Sequence, residues 1–211
     1  MRTEQLIRCL VADLPTPSGS VSKAIATSIS LSAAVSLITM LLWLGPRPEI
    51  AAAMGTVPFW MKAAYTFTIG TAGLFALERL SRPDATADTA FAIIVLSVAA
   101  TAASAVGQFM TSPSVDRSQL WLGASAGICP WAIVLFSSPL LVGAFLALHQ
   151  LAPTRYAAAG MAAGLMAGGY GALIYSLHCT EYGLPFLATW YTLGMLAVGC
   201  AGALLSGLLR W

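Results

Sequence analysis

The residues of this chain that could do chemistry are few, and they fall at the edges of apolar runs. His178, Cys179 and Glu181 interrupt a glycine-rich hydrophobic stretch, and Cys129 stands at the start of another, directly before Pro130. Two sulfurs and an imidazole suit a soft cation, Cu(I) or Zn(II), because polarizable thiolate binds such ions more favourably than oxygen does. The same two sulfurs could instead form a disulfide, in an oxidising compartment and with Cα atoms within about 7 Å. A third reading leaves cysteine its ordinary role as a small apolar side chain. Cys129 and Cys179 lie at polar boundaries, where thiols are expected to be reachable, and this favours sensing; Cys200, within a run, and Cys9 fit the ordinary role. No two cysteines have the CxxC spacing of a redox or zinc motif.

The elements that must position these residues follow from composition. With 58% hydrophobic and 9% charged residues in 211 positions, the chain lacks the charge that a water-soluble surface needs. An all-α integral membrane protein is expected. Its six transmembrane helices are about Ile25 to Leu44, Phe59 to Leu77, Thr89 to Met110, Pro130 to Leu148, Tyr156 to Leu177 and Leu184 to Leu208. Gly45-Pro46-Arg47-Pro48 ends the first, Lys62 is expected to snorkel outward from the second, and Thr111 to Arg117 reads as a polar turn. Gly160, Gly164 and Gly168 form a small-xxx-small ridge, a surface for close helix packing.

An even number of crossings puts both termini on one side. Arg2, Arg8, Lys23, Arg79, Arg82, Arg155 and Arg210 fall on that side and Arg47, Lys62 and Arg117 on the other, so the positive-inside rule makes the termini cytoplasmic. Cys129 and Cys179 then share the outer face.

Residues 1–24 form a separate polar segment before the membrane domain of residues 25–211. Leu6, Ile7, Leu10, Val11 and Leu14 share one face of a short amphipathic helix that Pro15 and Pro17 stop. About three turns are marginal alone in water, so a partner is expected to bury that face. The opposite face mixes Glu4, Arg8 and Asp13, whereas a helix resting on lipid is rich in Lys and Arg.

Other classes are disfavoured. No ionisable side chain lies near the middle of a run, as a coupled transporter would need. No HExxH motif and no nucleophile with a base can be assembled, so an enzyme is not expected. A net charge of +2 offers no nucleic-acid surface. No cofactor is required, and a Cu or Zn ion at the cysteines would be regulatory.

Several separated pieces resemble one family. They are Leu6-Ile7 through Asp13-Leu14, Arg47-Pro48, Phe59-Trp60 with Lys62, Arg82-Pro83, Cys129, Pro153-Thr154-Arg155, the glycine ridge, His178-Cys179 and Trp190-Tyr191. The chain resembles the NrsF family of bacterial inner-membrane anti-sigma factors, negative regulators of extracytoplasmic-function sigma factors. The resemblance implies that the amino-terminal segment, through Leu6, Ile7, Leu10, Val11, Asp13 and Leu14, sequesters a sigma factor. It also implies that Cys129 and Cys179 match two stress-responsive outer cysteines linked to heavy-metal sensing, beside which His178 is a candidate third ligand. The alternative is a membrane component of a metal-handling or thiol-redox pathway.

Overall fold

The computed structural model describes residues 21–82, 85–149, 151 and 153–209, and among these all regular secondary structure is helical. The expected partner-binding helix, with Leu6, Ile7, Leu10, Val11, Asp13 and Leu14, lies outside the described residues, as does Cys9.

Helix α1 (Val21–Trp43) stops where Gly45 turns to φ 68° and Pro46 and Pro48 remove two backbone donors. A short α2 (Ile50–Met54) leads into α3 (Val57–Leu80), which begins with Pro58 in its first turn, where the missing N–H costs nothing. Then come α4 (Asp88–Thr111), α5 (Ser114–Leu122), α6 (Cys129–His149) and α7 (Tyr156–Ser176). The last crossing is continuous but irregular: α8 (Leu184–Phe186), a π-helical turn (Leu187–Tyr191), α9 (Thr192–Leu205) and a 3₁₀ turn (Ser206–Leu209).

Five stretches are long and apolar enough to cross a membrane: Ile25–Trp43, Asp88–Thr111, Cys129–His149, Tyr156–Ser176 and Leu184–Leu208. The expected second span, α3, is long enough at 24 residues but does not join them. Lys62, Tyr65, three threonines (Thr66, Thr68, Thr71), Glu78 and Arg79 make it less apolar, and Lys62, Tyr65 and Thr66 are buried inside the bundle. The polar turn expected over Thr111 to Arg117 is also corrected, because only Ser112 and Pro113 separate α4 from α5.

Helix α7 is the centre of the bundle, and it is central because more than half of it is Gly and Ala. On one side Gly169 lies against the backbone of Gly70 in α3, and a Cβ on Gly73 would stand 2.5 Å from the Met166 amide nitrogen. On the other side Gly160, Gly164 and Gly168 lie against Gly202, Val198 and Met195 of α9. Such backbone-to-backbone approach is how helices gain dispersion contact where lipid removes any hydrophobic drive. Helix α1 is held to α6 by polar contacts, Ser28 Oγ donating to the Gly143 carbonyl at 2.7 Å and Ser36 Oγ to the Phe136 carbonyl at 2.6 Å.

Gly73→Ala should therefore lower the unfolding temperature in detergent. Its methyl group meets backbone that cannot rotate away, an overpacking worth about 1–3 kcal/mol. Gly107→Ala, which meets nothing within 4 Å, should melt with the wild type; equal melting of all three proteins would show that the α3–α7 contact is loose.

Candidate functional site

At the end of the bundle where α1 stops and α6 begins, the loop of residues 177–183 folds over the helix ends. Cys129 opens α6, its N–H bonded to the Ser125 carbonyl at 2.8 Å. Cys179 ends the turn after α7, its N–H bonded to the Tyr175 carbonyl at 3.1 Å. The two side chains meet in a thiol–thiol hydrogen bond, and both cysteines are free rather than disulfide-bonded. Contrary to the expectation of reachable thiols, Cys129 is 0% and Cys179 3% exposed. The cause is the loop itself, which the sequence reading treated as an open boundary. Cys200, by contrast, lies on an exposed face of α9.

Three side chains strap that loop down. Lys62 was expected to snorkel outward, yet it is 5% exposed. Its Nζ donates to the carbonyls of Glu181 at 2.6 Å and Cys179 at 3.3 Å, with Cys179 Sγ at 3.6 Å and the Tyr191 ring centroid at 5.3 Å. Arg47 is equally buried. Its backbone N–H donates to the Leu177 carbonyl at 3.1 Å and its guanidinium donates to the Tyr182 hydroxyl, while Nε finds no partner. The Glu181 carboxylate accepts from the Ala124 N–H at 2.8 Å and Ser125 Oγ at 3.1 Å. It lies so close to Gly123, at φ +54°, that no side chain fits there.

Charge in this cluster is unbalanced. Arg82 pairs with Glu78, and among the described residues no carboxylate lies within pairing distance of Lys62 or Arg47. The hydrogen bond from Cys129 holds the Cys179 thiol below the ordinary cysteine range; the Lys62 ammonium acts in the same direction and burial opposes both.

His178 does not complete a metal site. Its Nδ1–H donates to the Gly45 carbonyl at 3.0 Å, and no group of three His, Cys, Asp or Glu side chains among the described residues could hold an ion. A Cu or Zn ion at the pair would find no third donor of these types among the described residues. Sequence reasoning had missed Lys62, Arg47 and Tyr182 as members of the cluster. The usable signal was Lys62 itself, an ionisable residue inside an apolar stretch, which marks a functional position by default.

The family described as negative regulator of sigma F, NrsF, matches residues 10–211. This chain belongs to the NrsF family. The anti-sigma-F factor NrsF of Caulobacter vibrioides is 38% identical to it over 218 residues, and the probable anti-sigma-F factor NrsF of Azospira oryzae 36% over 213, each pairing covering the whole of both chains. No solved structure matches. As an NrsF-family member the chain is an anti-sigma factor, a negative regulator whose partner is a sigma factor. The NrsF match takes in Leu10, Val11, Asp13 and Leu14 and the whole thiol cluster, and begins after Leu6 and Ile7.

Proposed function

We propose that this protein sits in the bacterial inner membrane with both termini in the cytoplasm and α3 as its sixth crossing. It holds an extracytoplasmic-function sigma factor through the amino-terminal helix face of Leu6, Ile7, Leu10, Val11 and Leu14, with Asp13 beside it, and releases that factor when the Cys129–Cys179 pair is oxidised. The observation that carries the reading is the hydrogen-bonded thiol pair roofed by one short loop, beside a buried ammonium that lacks a carboxylate. A structural core would have no reason to gather such groups, because buried charge is costly unless paired. Oxidation changes both the charge and the geometry of the pair, which is what a switch requires.

The test is co-capture. The tagged full chain, solubilised from reduced membranes, should retain a sigma factor, and hydrogen peroxide treatment should release it. Retention that is the same before and after complete Cys129–Cys179 oxidation would overturn the thiol-switch reading, and failure to capture any sigma factor would overturn the sequestration reading.

A further inference from the structure

We propose that Cys179 is the attacking sulfur of the pair and Cys129 the resolving one, with Lys62 as the positioning residue that holds the attacking sulfur as its counter-ion. This deepens the oxidation reading above and rests on it.

Three observations separate the two cysteines. The first is the ammonium. Lys62 Nζ lies 3.6 Å from Cys179 Sγ and makes its other hydrogen bonds to two neutral carbonyls, so among its hydrogen-bonding partners only that sulfur can take up a negative charge. A buried ammonium without an anion is costly, and the thiolate removes that cost. The second is the thiol–thiol contact, which lets Cys129 donate to a thiolate formed at Cys179. The third is place. Cys179 belongs to the covering loop, whereas Cys129 is 0% exposed at the first residue of α6.

The chemistry balances with hydrogen peroxide as the two-electron oxidant. The Cys179 thiolate attacks one peroxide oxygen, the O–O bond breaks, and a sulfenic acid forms as hydroxide leaves. The Cys129 thiol then attacks the sulfenic sulfur, the S–S bond forms, and the thiol proton and the sulfenic hydroxyl leave as water. One thiolate, one thiol and one peroxide become one disulfide, one hydroxide and one water. Lys62 is then left without its anion, with only the carbonyls of Cys179 and Glu181 as hydrogen-bond acceptors.

The experiment uses the full chain in detergent without sigma factor, hydrogen peroxide as the oxidant, and dimedone trapping read by mass spectrometry. In Cys129→Ser the sulfenic acid should appear at Cys179, and in Cys179→Ser Cys129 should react about tenfold more slowly. Lys62→Met should slow disulfide formation by about tenfold, and Lys62→Arg should restore most of the rate, since it returns charge without the same shape. Faster trapping at Cys129 than at Cys179 would overturn the assignment of roles even if Lys62→Met fails to fold. Equal rates in wild type, Lys62→Met and Lys62→Arg would overturn the role of Lys62. Because no sigma factor is present, a Lys62-dependent rate combined with unchanged sigma-factor retention refutes the functional reading and leaves this assignment standing.

Discussion

Leu10→Asp is expected to switch the sigma-dependent promoter fully on without any stress. In the helical pattern expected from the sequence, Leu10 is the middle of the apolar positions Leu6, Ile7, Leu10, Val11 and Leu14. A carboxylate there is buried without a partner when the sigma factor docks, at a cost of about 3 kcal/mol or more, which weakens binding more than about a hundredfold. The measurement is reporter output at matched membrane levels of the two proteins. A silent promoter in the variant would mean that this face does not hold the sigma factor. Glu4→Gln, on the opposite face, should repress as the wild type does.

The second large effect is the loss of induction. Cys129→Ser should repress normally yet fail to respond to peroxide, and Cys179→Ser should fail to respond as well, because neither can form the disulfide. Cys200→Ser, on an exposed face of α9, should induce fully. Moving an equilibrium from 1:99 to 99:1 needs about 5.5 kcal/mol, and a disulfide alone typically contributes about 2–4. The remainder has a source in Lys62, since a buried cation whose partner is removed costs several kcal/mol more. Full peroxide induction in either the Cys129 or the Cys179 variant would end the thiol-switch account.

The helical membrane class was legible because composition and run length depend on the bilayer and hardly at all on tertiary detail. Five crossings were visible in this way; α3 was less so, since a helix that faces its neighbours tolerates Lys62, Tyr65 and Thr66 and so loses the apolar signature of a lipid-facing one. The α5 helix was hidden because nine residues with a mixed polar surface look like a turn. Cys129 and Cys179 stood out by residue type and by their place at the run edges. Their burial did not, because it depends on Lys62, Arg47 and Glu181 reaching across from three separate segments, a long-range fact that no local pattern encodes.

The glycine contacts along α7 also bear on mechanics. Helices α3, α7 and α9 touch through main chain at Gly70, Gly169, Gly160 and Gly202, where there is no side chain to flex or absorb displacement. The three therefore respond to load as a single stiff beam. From Lys62 to Glu78 along α3 is sixteen residues, about 24 Å at the rise of an α-helix. On the proposed oxidation, a tilt begun where the ammonium loses its anion would be carried to the opposite end of the beam, beside the Arg82–Glu78 pair.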